Sequence, residues 1–406
     1  MDQFKVDFNA EYNHVIGLAA EKFGYDEDLQ EVLKKALPAM LEGHSHEEKQ
    51  LFYKMMSHTP IVVVDEDSPV NKRELERKYF GNINSHIIEG AHEESVYDQL
   101  EGDGSFNSEI EFDENANVVA RKQYLYIKRA NPEKHRNGYI KDRIGLFKTG
   151  INVSHLMHEL GHAWCSEANP LEYEDGVLKE RCGACTTEFT ITPNGDGTYT
   201  RTRTGVTGLY VEEAFNTEME LEALSKYLNM GREAVDALFK TGPLIKSNYQ
   251  GAVSGVANHI LTTPLGKDFQ NYRLTGDKKY LDKINGAIEK TEAHQRRMDS
   301  SNESRGKDQV FLEPASDSIA EFLTRCKNVY YPDKENMTPF EILDNALNQS
   351  FDLGINKLKF DVFDDKSFGQ YKALSYSALS DAYVPINQAR DLILGKDSKS
   401  KEEQQK

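Results

Sequence analysis

The segment His158-Glu159-Leu160-Gly161-His162 sets two imidazoles four positions apart, with a carboxylate beside the first. On a helix that spacing stacks the two rings on one face, about one turn apart. Two imidazoles so arranged can grip one Zn²⁺ and leave positions for a third protein ligand and a water. Glu159 would then take a proton from that water and pass it to a leaving amine. A chance match to this spacing is expected about 0.03 times in a chain with 12 histidines. The surroundings sharpen the signal. Leu156, Met157, Leu160, Ala163 and Trp164 are apolar, and no Lys or Arg occurs from Asn152 to Asn169. Ionisable groups on such a helix are costly without a partner such as a metal. His155, one turn earlier on nearly the same face, reads as a partly exposed neighbour and not as a ligand.

A zinc site of this kind needs a third ligand. A histidine six residues beyond the second is ruled out, because that position is Ala168, and the glycine it would require is Cys165. The ligand must come from a later element. The run Gly208 to Asn216 starts a helix whose Glu213 lies 51 residues after His162.

This pair of segments resembles the gluzincin group of zinc metallopeptidases, which includes thermolysin-like enzymes and the anthrax lethal factor type. It is also similar to uncharacterised bacterial proteins carrying the same helix pair. The resemblance spans roughly residues 118 to 228. It implies a zincin-like catalytic domain, one Zn²⁺ per chain and hydrolysis of a peptide or protein substrate. In that group a second helix presents Glu in a context similar to Glu212-Glu213-Ala214, which implies Glu213 as the third ligand. Glu212 remains the alternative, since it shares a face with Phe215 and Met219 and periodicity does not choose between them. An acidic first helical turn would also arise from the helix dipole alone. One departure stands out: thermolysin-like helices carry an acid four residues after the ligand to orient a histidine, and here that residue is Thr217. Tyr210 and His259 are the candidate donors to a developing oxyanion. A packed tyrosine and a satisfied histidine are the competing readings.

Other motifs carry less. Cys182-Gly183-Ala184-Cys185 is a lone C-x-x-C, without the second pair that a zinc ribbon needs, and reads as structural thiols. His44 and His46 fall in a polar turn. Gly195-Asp196-Gly197 is turn chemistry, because no helix follows it to make a phosphate loop.

The elements that must position these residues read as an α+β arrangement. Helices are predicted over residues 9–23, 26–41 and 47–57, followed by a short buried strand at Ile61-Val62-Val63-Val64. Residues 102–117 are rich in Gly, Asn, Ser and acids and read as a loop or boundary. Residues 118–129 read as a strand that offers an edge to an extended peptide. The helix over 151–168 stops at Asn169-Pro170. Residues 181–192 and 198–204 read as a hairpin. Helices are predicted beyond Gly208 over 212–229, 232–240, 248–261 and 277–298, and near Ile319 and Phe340. In domain terms, 1–115 is a mainly helical N-terminal region and linker. Residues 116–395 form the zincin-like catalytic domain, divided at 207/208 into the strand, helix and hairpin part and a helical subdomain. Residues 396–406 form a disordered tail.

At 406 residues the chain exceeds what one core normally serves. Its net charge of −18 argues against nucleic acid or an anionic membrane as partner. No stretch reaches the roughly 18 apolar residues of a membrane span, and the acidic start lacks the pattern of a secretory signal. Four cysteines are too sparse for a disulfide scaffold. A cytoplasmic protein is expected, with export by a route lacking a removable signal as the alternative. Besides a housekeeping peptidase, two readings compete: a zincin-shaped binding module without turnover, and a protease toxin or effector acting on a host protein.

Overall fold

The computed structural model describes residues 8–67, 72–81, 83–87, 104–131, 149–169, 171–235, 261, 263, 265–305, 320, 323–324 and 337–344. The chain is mixed α+β, with helices and two small sheets. It divides into two compact units, residues 1–206 with 219–245, and residues 207–218 with 246–406.

The first unit opens with helices α1 (Phe8–Phe23), α2 (Glu27–Leu41) and α3 (His46–His58). The starts of α2 and α3 are written locally. The Asp26 side chain accepts from Leu29 N at 2.9 Å, capping α2. Ser45 and Glu48 form a reciprocal capping box on α3. The α2 stripe Leu29, Val32, Leu33, Ala36 and Leu37 is buried, at the spacing expected of a core-facing helix.

Strand β1 (Ile61–Asp65) follows, then helix α4 (Lys72–Phe80) and the short β2 (Ser85–Ile87). Strands β3 (Gly104–Phe112) and β4 (Val118–Arg129) complete the first sheet, in the order β1-β4-β3. β1 runs parallel to β4, and β3 antiparallel to it. Two expectations are corrected here. Residues 104–112 are a strand and not a loop, because Phe106, Ile110 and Phe112 alternate with polar residues and pair in register with Leu125, Arg121 and Val118. The polar composition belongs to alternate positions of a strand. Strand 118–129 has a neighbour on both sides, so β4 is central and β3 holds the lateral position.

Helix α5 (Val153–Glu167) packs against β3 and β4, with α3 also against it. The second sheet has the order β2-β8-β7-β6-β5, built from β5 (Glu172–Glu174), β6 (Val177–Cys182), β7 (Cys185–Pro193) and β8 (Tyr199–Thr207). The strand expected over 181–192 is broken at Gly183-Ala184. Gly183 takes φ +60°, which glycine adopts without penalty, and a two-residue turn pairs Cys182 with Cys185. Ile110 and Phe112 of β3 join Leu178, Phe189, Ile191 and Tyr199 in one core cluster.

Helix α6 (Leu209–Leu228) is unbroken across the division between the units. In the second unit, helices α7 (Gly266–Thr275) and α8 (Lys278–Arg305) pack together. Phe269 stacks on Phe215 with centroids 6.2 Å apart and meets Phe340 at 5.0 Å. Gly208 has no side chain to cap α6. The Asp344 carboxylate accepts instead from Gly208 N at 2.9 Å and Val211 N at 3.3 Å. Among the described residues no helix is long and apolar enough to cross a membrane. Of the helix expected over 232–240 only 232–235 is described, and of that over 248–261 only Leu261; the remainder of both, and the tail, lie outside the described residues.

Candidate metal centre

Helix α5 carries the two histidines, and its frame is tied down at both ends. The Asn152 side chain accepts from Ser154 N at 3.1 Å and caps its start. At the far end Arg121 donates to Ser166 O at 2.7 Å, Gln123 to Ser166 Oγ at 2.7 Å, and Asn169 Nδ2 to Cys165 O at 2.7 Å. Lys54 and His58 of α3 both reach Glu167, at 2.7 and 2.9 Å. The buried Trp164 meets Phe52 and His44 with centroids at 5.2 and 4.8 Å. The N-terminal helices therefore cover the apolar side of α5. His44 serves in this packing and in an ion pair with Glu48.

With the frame fixed, the rings of His158 and His162 converge. Their Nε2 atoms stand 3.1 Å apart, with ring planes at 83°. His158 is 5 % exposed, and its Nδ1 lies 3.1 Å from Glu220 Oε2. The other Glu220 oxygen accepts from Ser154 Oγ. Ser154 and His158 are one turn apart on α5, so one carboxylate grips both. Glu220 is 1 % exposed, and a carboxylate taken so fully from water needs such donors. Holding the proton on Nδ1 leaves His158 Nε2 bare and aimed at its neighbour. Two ring nitrogens facing each other at that range need a proton or a cation between them. Nitrogens bound about 2.0–2.1 Å from one tetrahedral ion stand roughly 3.3 Å apart, so the spacing suits zinc.

Glu213 is half-buried on α6, two turns before Glu220 on nearly the same face. His158, His162 and Glu213 each offer one ligand atom, and these atoms lie within 4.8 Å of one another. A second set, His162, Cys182 and Glu212, meets the same measure. Glu212 is differently committed. Both its oxygens accept from the fully buried Arg273, at 2.8 Å each, and Arg273 also reaches Asn216 at 2.8 Å. Glu159 is half-buried, and among the described residues its carboxylate makes no hydrogen bond or ion pair. Beside it, a Cβ built on Gly104 of β3 would stand 3.1 Å from Glu159 Cγ. His155 is half-buried. Tyr210 lies in the first turn of α6, but its side chain is outside the described residues, as is His259 altogether.

Two residues escaped the sequence reading. Glu220 sits seven positions after Glu213, a spacing that returns to the same helix face, but among the acids of this helix the sequence alone does not tell a buried carboxylate from a solvated one. Cys182, read as a structural thiol, has its sulfur 3.2 Å from His162 O and 3.8 Å from His162 Nδ1. No spacing rule in a single sequence links it to a helix twenty residues earlier.

No family model matches this chain, and neither does any curated protein or any solved structure.

Proposed function

We propose that the chain is a zinc-dependent peptidase of the gluzincin type, with a zincin-like catalytic domain. The observation that carries the reading is the facing pair of Nε2 atoms on α5, with His158 Nδ1 engaged by the buried Glu220. His158, His162 and Glu213 would hold the metal; two imidazoles and a carboxylate are a donor set typical of a catalytic zinc with an open position. A zinc ion bound there would polarise a scissile carbonyl and bring a water to a pKa of about 7.

The chain's own groups supply the rest. Glu159 has no competing partner among the described residues, so its carboxylate is available to accept a proton and return it to a leaving amine. Gly104 leaves that side chain room at the end of β3. Glu220 fixes the His158 tautomer and, through Ser154, its place along α5. β3 is lateral in its sheet, and its outward backbone groups at Ser108, Ile110 and Phe112 are taken by Arg201, Ser85 and Asn84, so an extended peptide substrate would pair along its start, Gly104 to Asn107, in place of β4.

The test is metal content together with turnover. Purified protein is expected to carry one zinc per chain and to cleave members of a peptide library. Glu159→Gln should keep the zinc and lose cleavage. Stoichiometric zinc with identical behaviour of wild type and Glu159→Gln would support a binding module instead. Absence of zinc from the wild type after incubation with the metal would remove the proposal.

A further inference from the structure

The hairpin Cys182-Gly183-Ala184-Cys185 has no part in the reading above, yet its first sulfur lies against a proposed zinc ligand. Cys182 Sγ donates to the His162 carbonyl at 3.2 Å and stands 3.8 Å from Nδ1 of the same residue. The ring's other nitrogen, Nε2, faces His158 Nε2 at 3.1 Å. A thiol that gives its hydrogen to a carbonyl can still accept at sulfur from a neighbouring N–H, and the Nδ1 edge of His162 stands within that reach. An imidazole with its proton on Nδ1 has a bare Nε2, the form a metal requires.

We infer that Cys182 is a positioning residue for His162, its sulfur accepting from Nδ1–H so that Nε2 is presented to the metal. The inference rests on the zinc reading proposed above. Each imidazole then has its own outer partner: a carboxylate, Glu220, for His158, and a thiol, Cys182, for His162. The sulfur's place is set by backbone. Cys182 ends β6, the two-residue turn needs Gly183 at φ +60°, and Arg181 Nε ties that turn by donating to Gly183 O at 2.8 Å. The short cysteine side chain has one rotatable bond to its sulfur, so the contact costs little conformational entropy. It also grips backbone and ring of the same residue, which fixes both the position and the rotation of the imidazole.

The test uses the full chain loaded with zinc and compares Cys182→Val, which fills the space without a hydrogen bond, with Cys182→Ser, which restores one. Cys185→Ala serves as the hairpin control. Zinc affinity is read by competition with a chelator, and the His162 Nδ1–H proton by its exchange rate in NMR. Cys182→Val is expected to bind zinc about tenfold or more weakly and to exchange the His162 proton faster, with the His158 proton unchanged. Cys182→Ser should recover most of both, and Cys185→Ala should behave as wild type. Cys182→Val with wild-type affinity and wild-type exchange would overturn the inference while leaving the zinc reading intact. A wild type that takes up no zinc overturns both. If Cys182→Val does not fold, Cys182→Ser exchanging the His162 proton as fast as free imidazole overturns the inference.

Discussion

Glu220 Oε2 lies 3.1 Å from His158 Nδ1, and the carboxylate that makes this contact is buried in the C-terminal half of the helix that also carries Glu213. One element thus brings an orienting acid and a candidate ligand, two turns apart. Sliding or rotating that helix would disturb both together.

Replacing the orienting acid should therefore weaken metal binding without touching a ligand. Glu220→Gln keeps the size and can still accept from Ser154 or His158, but it lacks the charge that favours Nδ1–H. Zinc affinity should fall 10–100-fold, read by chelator competition. An unchanged affinity would show that Glu220 does not set the His158 tautomer.

Gly104 separates turnover from metal binding. A Cβ there would stand 2.9 Å from Ile127 Cδ1, 3.1 Å from Glu159 Cγ and 3.3 Å from Tyr126 O. The isoleucine tip can swing away, but the backbone oxygen cannot, so Glu159 takes much of the displacement. Gly104→Ala should lower kcat by about tenfold or more, because proton transfer depends steeply on geometry. Zinc affinity should stay at the wild-type value, since neither histidine is displaced.

What the sequence made legible follows from how local each signal is. The α5 stripe and the Asp26 cap are encoded within a turn or two, and the structure has them where the sequence points. Strand β3 was hidden because its polar residues alternate, and composition averaged over 102–117 erased that alternation. The same limit hid the site's outer partners. Ser154 with Glu220, Cys182 with His162, and Glu212 with Arg273 are separated by 66, 20 and 61 residues, and only the folded chain brings them together. The choice between Glu212 and Glu213 illustrates the point. Helical period left it open, and only the folded chain shows that Arg273 donates to both oxygens of Glu212 while each of the two acids falls in a group that could hold a metal.

That buried pair carries a stability prediction of its own. Arg273 and Glu212 are 0 % and 1 % exposed, so removing one partner strands a charge in a dry interior. Arg273→Met should destabilise the protein by about 3–5 kcal/mol, and pairing it with Glu212→Met should recover most of that loss. Chemical denaturation of both variants measures the difference. A single variant as stable as the double one would mean that solvent or another cation reaches Glu212.

Acid should weaken the helical layer behind α5. Burial tends to raise the Glu48 carboxyl, but hydrogen bonds from His44 and Ser45 outweigh it and bring the group from its ordinary 4.5 to about 2. Burial opposes, and hydrogen bonds from His58 and Lys54 likewise outweigh it, at Glu167, which also lies below the usual carboxylate range. A depressed carboxyl pKa contributes stability that is complete above the unfolded value and is lost as pH falls through the folded one. The Glu48 contribution should therefore be present at pH 6 and fade between about 4.5 and about 2. Glu48→Gln weakens the capping box, so it should cost about 1 kcal/mol at pH 6. The gap to wild type should then narrow as the pH is taken down through that window. Urea unfolding of both proteins at pH 6, 4 and 3 measures it; a gap independent of pH would mean that Glu48 acts through its shape and not its charge.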